Sequence, residues 1–453
     1  RVLDIYEKER PEGIITCVGG QTSNNLTPKL AEYGVKILGT EPVNIDRAED
    51  RSKFSALLEK LEIPQPEWSA FDSLKDAYSF AERVGYPLVV RPSYVLSGAA
   101  MSIAWTPAQL ERYLVNATRV NPEHPVVLTK FIRSALEIEV DAVSDGESTF
   151  IGAIVEHVEK AGVHSGDAIM SIPPKSLNSQ ATARLVDYTN RLAKALVIKG
   201  PFNVQYMVKD EDIFVIECNL RASRSMPFVS KTVGVNLMNL AARALLGEKI
   251  PSFDGPKVSK VSVKVPQFSF MQLDGADTLL GVEMQSTGEV ACSGENFHDA
   301  LIRAMTAAGY RLPRKGGNIL VTVGGSELKE QLFPLVEKLR LLDLHIHATE
   351  HTADFLNQRG VGKVTVLYKI GEPDRTPNIA EYLANQQLDL VINIPSTLTL
   401  EKYADTLEDE YMIRRKAVEL GVPVLTNVET AEAYVDGLLW LRKHSPEVAL
   451  DPS

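Results

Sequence analysis

The segment Asn203-Val-Gln-Tyr-Met-Val-Lys-Asp-Glu-Asp-Ile-Phe-Val-Ile-Glu-Cys-Asn219 constrains this chain more than any other. It reads as two strands joined by the polar turn Asp210-Glu211-Asp212. If that three-residue loop closes a hairpin, Gln205 lies opposite Glu217 and Asn203 lies opposite Asn219. Residues two apart on a strand share a face, so Glu217 and Asn219 join Gln205 on one side and Cys218 points into the core. That face gathers a carboxylate and two carboxamide oxygens, hard donors that suit Mg²⁺ or Mn²⁺ held partly through nucleotide phosphates. The competing reading is the polar face of an ordinary hairpin.

The flanking residues carry the opposite charge. Directly after the ribbon come Leu220-Arg221-Ala-Ser-Arg224-Ser-Met-Pro-Phe-Val-Ser-Lys231. Two arginines beside a metal-holding face can clamp phosphoryl oxygens; otherwise this is a solvated basic loop. Arg91-Pro-Ser-Tyr-Val-Leu-Ser-Gly98 follows an apolar strand, Pro87–Arg91, and can wrap a polyphosphate with backbone N–H groups. It is not a Walker A sequence. The string Glu156-His157-Val-Glu-Lys-Ala-Gly162-Val-His164-Ser165-Gly166-Asp167 admits three readings. These are zinc on His157 and His164, which lack further ligands at zinc spacing, a histidine satisfied in the core, and a backbone that approaches a ligand closely at Gly162 and Gly166.

With 453 residues the chain has room for two to four domains at about 150 residues each. A net charge of −11 argues against nucleic acid or an anionic membrane as main partner, so an anionic substrate needs a local basic site. Three cysteines without close spacing exclude a disulfide framework and favour a reducing compartment. No apolar run of about 18 residues predicts a transmembrane helix. The chain begins at Arg1 inside a helical pattern, which reads as a fragment of a longer cytoplasmic protein, or of a mitochondrial one if a targeting segment preceded it.

The expected architecture is mixed α/β and α+β. Residues 1–43 read as the end of an α/β domain, with strands in Gly13–Gly20 and Val35–Leu38 around a helix near Asn25–Glu32. Residues 44–248 read as α+β: helices Arg51–Leu61, Leu74–Val84, Ala181–Leu196 and Asn236–Leu245, with strands Pro87–Arg91, Val126–Lys130, Ile138–Val143, Phe150–Glu156 and the ribbon. Residues 249–316 form a connector with strand-like pieces at Ser262–Val265 and Gly281–Ser286. Residues 317–453 alternate five apolar strands with helices, which implies right-handed βαβ units and a parallel sheet.

Taken together these segments resemble the second ATP-grasp unit of the carbamoyl phosphate synthetase large chain. The strings Val90–Gly98, Glu156–Asp167, Val215–Arg224 and Pro227–Lys231 carry the resemblance, and Lys264–Phe270 and Gly281–Glu289 extend it. Val95–Gly98 and Glu217–Arg221 look more like eukaryotic members than bacterial ones. The resemblance implies a partial pre-ATP-grasp piece, an ATP-grasp domain, and a C-terminal allosteric domain that shares its fold with methylglyoxal synthase. By that resemblance Arg51 and Arg91 bind ATP phosphates, Lys130 and Ile132 line the adenine pocket, and Glu137 binds ribose. Gly162, Val163, His164 and Ser165 form a nucleotide loop, and Gln205, Glu217 and Asn219 are metal ligands. Arg221 and Arg224 lie near the transferred phosphoryl group and carbamate. The loop near Ser93–Met101 is a candidate lid. The implied reaction is ATP-dependent phosphorylation of carbamate, for arginine or pyrimidine synthesis, with Mg²⁺ or Mn²⁺ and with K⁺ as a further candidate ion. The implied partners are a preceding synthetase half, a glutamine-hydrolysing subunit or domain, and a second copy in a homo-oligomer.

In the last region Thr349, Thr352, Asn393 and Ser396 fall at strand ends, where ligands bind in parallel α/β sheets. Arg414 and Arg415 are a candidate anion site. N-acetylglutamate-binding relatives carry additional asparagines and a tryptophan where Tyr368, Ser396 and Glu410 stand here, which favours a uridine nucleotide, or no effector. The alternatives for the whole chain are a catalytically silent nucleotide-binding regulatory fragment and another ATP-grasp ligase such as a biotin carboxylase.

Overall fold

In the computed structural model, which describes residues 1–71, 73–92, 102–120, 126–253, 255, 258–396 and 404–444, the ribbon pairs Asn203 with Asn219 and Gln205 with Glu217 as expected. It reaches that register by another route. Strand Lys199–Lys209 turns through two residues, with Asp210 in the left-handed region at φ 54°, so that Lys209 faces Asp212 and Tyr206 faces Val215. Strand Asp212–Asn219 then carries one extra residue, Ile216, as a β-bulge between Val215 and Glu217.

The bulge switches the apolar phase of the strand. On the turn side Ile213 and Val215 point into the core; beyond it Cys218 and Leu220 do. Were Ile216 paired in regular alternation instead of bulged, Glu217 would follow Val215 onto the core side. The bulged edge is also held from outside, since the amide of Val215 donates to the carbonyl of Pro64 at 2.9 Å.

The chain divides into two units, one of Arg1–Gly166, Ser171–Ser259 and Val282–Met284, and one of Asp167–Met170, Lys260–Gly281 and Gln285–Ser453. In the first, strands Thr149–Lys160, Leu136–Asp145, Lys199–Lys209 and Asp212–Asn219 lie side by side in that order, all antiparallel. One face buries Ile138, Val140, Phe202, Val204 and Tyr206 against Leu185 and Leu192 of helix Ser179–Ala195 and Phe54, Leu57 and Leu58 of helix Arg51–Lys60. The hydroxyls of Tyr206 and Thr189 meet at 2.7 Å inside this core. Asp50 caps helix Arg51–Lys60 by accepting from the amide of Lys53, and this helix start places Arg51 at the ribbon.

A smaller antiparallel sheet, in the order Trp68–Phe71, Val126–Lys130, Leu88–Pro92, Ser102–Ala104, packs on helices Leu74–Val84 and Pro107–Val120. The two short edge strands and the second helix were not expected. Near the N-terminus the two expected strands meet only in a single parallel bridge, Ile14 to Ile37. The expected helix there is two short ones, Gly20–Asn25 and Thr27–Glu32, followed by an unforeseen helix, Pro42–Glu49, that starts on proline.

In the second unit Val261–Gln267 pairs antiparallel with Gly288–Gly294. The strand expected at Gly281–Ser286 is absent, because the amides of Gln285 and Ser286 donate to the buried carboxylate of Asp167 and are unavailable to a ladder. Helix Phe297–Ala307, also unforeseen, packs on helix Val428–His444. A side chain at Gly437 would press within 2.8 Å of Ile302. The five-stranded parallel sheet runs Thr365–Val366, His345–Ala348, Asn318–Val323, Leu390–Ile394, Val424–Leu425. The first strand in sequence is central and the order reverses between it and Leu390–Ile394, which makes a crevice at their C-terminal ends. No helix among the described residues is long and apolar enough to cross a membrane.

The phase switch is testable. Regular alternation from Glu217 would put Val215 on the site face, where truncation costs little. Buried as it is, Val215→Ala lowers folding stability by about 2 kcal/mol, read as a lower urea midpoint.

Candidate active site

Two arginines, the buried Arg51 and the half-buried Arg91, converge on the ribbon. One Nη of Arg51 donates to the carbonyl of Ile216, the bulged residue, so the helix start and the bulge hold each other. Arg91, from strand Leu88–Pro92, reaches the hydroxyl of Thr129 at 3.5 Å. Burial pushes the Arg51 guanidinium well below its ordinary range, Arg91 beside it adds to this, and Glu217 opposes it. Burial lowers Arg91 in the same way, again opposed by Glu217. Among the described residues no acceptor reaches Nε or the second Nη of Arg51, or Nε of Arg91, although all three atoms are buried. Unmet guanidinium donors out of water are costly and call for an anion.

On the same ribbon face the Asn219 amide donates to Glu217 at 2.8 Å and its oxygen accepts from Arg221 at 3.2 Å. Gln205 turns its NH₂ toward Glu139 at 3.4 Å. A carboxylate only accepts, so the Gln205 oxygen is left facing away from Glu139. Glu217, Gln205 and Asn219 therefore supply the hard oxygens that a Mg²⁺ site needs. Arg224 is exposed and closes over Gly166: its guanidinium would stand 3.2 Å from a Cβ there, and Met284 would stand at 2.9 Å.

The expected nucleoside side also gathers. The amide of Gly162, at φ 121°, hydrogen-bonds the carboxylate of Glu137, and Phe131, next to Ile132, lies 4.0 Å from where a Gly162 Cβ would be. Val163 and Ser165 are half-buried nearby in sequence, and His164 turns to accept from the amide of Gly166 at 3.0 Å. Lys130, expected to line the adenine pocket, has its side chain held in place by backbone. Its ammonium is committed to the carbonyls of Val84, Gly85 and Tyr86 at 3.3, 2.9 and 3.1 Å, where it closes the end of helix Leu74–Val84. The candidate lid at Ser93–Met101 lies outside the described residues.

Glu139 and Asp141 escaped the sequence reading, as did the grouping of Glu139 with Glu137 and His157. Glu137, Glu139 and His157 bring ligand atoms within 4.8 Å of one another, all buried, and His157 meets Glu139 at 3.1 Å. This trio replaces the pairing of His157 with His164. Asp141 accepts from Asn203 at 2.9 Å and from Ser223 and Ser225 at 2.6 Å each, which ties the loop of Arg221 and Arg224 to strand Leu136–Asp145. Burial, and then Glu139, push the Asp141 carboxyl up to about 6, against these hydrogen bonds. The signal available was Glu137-x-Glu139-x-Asp141, three acids on one face of a strand otherwise apolar.

In the parallel-sheet region Thr349, Thr352, Asn393 and Ser396 are buried at the crevice. The Thr349 hydroxyl donates to Thr322 at 3.3 Å, and Thr352 accepts from the amide of Val323 at 3.3 Å. A Cβ at Gly324 would stand 2.6 Å from the Ser396 amide and 3.4 Å from Glu410. Burial holds the Glu410 carboxyl near 7 despite Arg414 and Lys369. Arg414 and Arg415 do not form the expected anion site. Arg414 holds Asp277 through two bonds of 2.7 and 2.6 Å and Asn393 through a third of 2.8 Å. Arg415 donates to the carbonyls of Phe270, Leu273 and Ala276 at 2.8, 2.9 and 3.4 Å. Both arginines fasten the connector to helix Ala404–Glu419.

Family models match in series along the chain: the carbamoyl phosphate synthase pre-ATP-grasp domain over residues 1–47, the carbamoyl-phosphate synthase L chain ATP binding domain over residues 50–253, and the MGS-like domain over residues 331–426. The chain belongs to the carbamoyl-phosphate synthase large-chain family. It is 46 % identical to Multifunctional protein URA2 of Saccharomyces cerevisiae over 97 % of this chain and 20 % of that protein. It is 44 % identical to the mitochondrial carbamoyl-phosphate synthase [ammonia] of Homo sapiens over 98 % of this chain and 30 % of that protein. It thus spans less than a third of the length of these relatives. Among solved structures it resembles a biotin carboxylase–ATP complex from Campylobacter jejuni, with TM-score 0.57, 17 % identity and coverage of 68 % of this chain and 76 % of that one, which establishes the ATP-grasp fold alone.

The buried acids give a pH test. Burial raises Glu137 from 4.5 to about 7, with His157 opposing and Glu139 adding. A carboxyl raised on folding contributes stability that is full below about 4.5 and is lost as pH rises through about 7. In the ligand-free chain, the urea midpoint of Glu137→Gln relative to wild type should therefore rise between pH 5 and pH 8.

Proposed function

We propose that this chain transfers a phosphoryl group from ATP to carbamate, giving carbamoyl phosphate and ADP. The observation that carries the reading is the set of buried, unmet guanidinium donors of Arg51 and Arg91 beside Glu217. A polyphosphate tail satisfies them and removes the repulsion between the two cations. Glu217, Gln205 and Asn219 would hold the divalent ion, which neutralises phosphate charge when bound. Glu137 and Gly162 then face the nucleoside end, and Arg221 and Arg224 the transferred group.

The carbamate oxygen attacks the γ-phosphorus in line, and the bond to the ADP oxygen breaks. The protein contributes little covalent chemistry and much positioning. Carbamate decomposes in water, so it would reach the site from a preceding synthetase half, with ammonia from a glutamine-hydrolysing partner or from solution. In the C-terminal region Thr349, Thr352, Asn393 and Ser396 are proposed to line an effector crevice for a uridine nucleotide.

The test is ATP formation from carbamoyl phosphate, ADP and Mg²⁺. Turnover is expected, and Glu217→Ala should reduce it by about 100-fold or more. Turnover indifferent to that change would refute the site.

A further inference from the structure

The guanidinium of Arg221 is held from outside the ATP-grasp strands. Its Nε donates to the side-chain oxygen of Gln21, on the short helix Gly20–Asn25, at 2.6 Å. The Gln21 NH₂ donates in turn to Glu49, at the end of helix Pro42–Glu49, at 2.7 Å, and to Asn25 at 2.8 Å. The other Glu49 oxygen accepts from the buried Asn24 at 2.8 Å. Arg221 closes the chain through Nη2 to Asn219, which donates to Glu217. Among the described residues its Nη1 has only a long bond of 3.4 Å, to the carbonyl of Ala222.

The order of donors along this chain is forced. An ionised Glu49 can only accept, so the NH₂ of Gln21 must face it and the oxygen must face Arg221. A flipped amide would set NH₂ against a guanidinium and an oxygen against a carboxylate, repulsive at both ends. With Nε and Nη2 both anchored, the plane of the guanidinium is fixed and the Nη1 donors keep one direction. On a stem as long as that of arginine, such anchoring separates a preorganised charge from a mobile one.

We infer that Gln21 is a positioning residue for Arg221, its amide polarity set by Glu49, so that the pre-ATP-grasp segment takes part in phosphoryl transfer. This rests on the reading of Arg221 as a residue beside the transferred group. It predicts an effect on the chemical step and little on nucleotide binding.

The full chain is assayed for ATP formation from carbamoyl phosphate and MgADP, with thermal midpoints alongside. Gln21→Met keeps the volume and removes both polar ends; kcat should fall about tenfold or more while KM for ADP stays within about twofold. Glu49→Gln should lower kcat by less, because either amide orientation is then allowed. The double exchange Gln21→Glu with Glu49→Gln keeps an acceptor on Arg221 and a donor–acceptor pair between positions 21 and 49. It should return kcat to within about threefold of wild type. Wild-type kcat in Gln21→Met overturns the inference. So does a double exchange no better than Gln21→Glu alone, which would mark the contact as structural only, and this comparison still decides if Gln21→Met fails to fold. If Gln21→Met is impaired as expected, Glu217→Ala must be impaired too. A wild-type chain without turnover, or an active Glu217→Ala, refutes the site reading and the inference with it.

Discussion

The hydrogen bond between Arg51 and the carbonyl of Ile216 couples the two features on which the site depends. The bulge at Ile216 rotates the second half of its strand by one residue and so sends Glu217 out of the core while Cys218 goes in. The freed carbonyl of a bulge has no ladder partner, and a guanidinium supplies one. One contact thereby fixes the strand whose phase exposes the acid and the cation that answers it. The helix that carries Arg51 buries Phe54, Leu57 and Leu58 in the same core, so this geometry is set by packing before any ligand arrives.

The charges around this contact are arranged for something not made of protein. Burial lowers Arg51 and Arg91, with Arg91 adding to the effect on Arg51, and Glu137 and Asp141 are pushed upward by burial and by the neighbouring Glu139. Each group is partly compensated: the acids by His157, Gly162, Asn203 and two serines, the arginines by Glu217. A fold selected only for stability would replace such groups with apolar ones. Their presence in a low-dielectric site, with guanidinium donors unmet among the described residues, suits an anionic ligand such as a phosphate.

Much of this was legible in the sequence where long periodic segments decide structure. The helix at Leu74–Val84 and the strand Val126–Lys130 coincide with their expected bounds. The pairing of Gln205 with Glu217 was also read, but through a three-residue loop; the chain uses a two-residue turn and recovers the residue at the bulge. The missing clue was the shift of apolar residues from Ile213 and Val215 to Cys218 and Leu220, hidden by the apolar Ile216 between them. Strands of three or four residues such as Ser102–Ala104 carry too little pattern to stand out. The strand expected at Gly281–Ser286 failed for a nonlocal reason, since its amides belong to Asp167, far away in sequence. The anion-site reading of Arg414 failed because residue type identified a cation, but only the fold reveals that Asp277 already holds it.

The contrast between Arg414 and Arg415 bears on how the connector can change over time. Arg415 grips three main-chain carbonyls, at Phe270, Leu273 and Ala276, and main chain is common to every residue type. The grip itself asks nothing of the side chains at those three positions, provided the backbone keeps its course. Arg414 reads a side chain, Asp277, and releases it on any substitution that removes the carboxylate. Within one helical turn, then, the same segment is fastened once by its shape and once by its spelling.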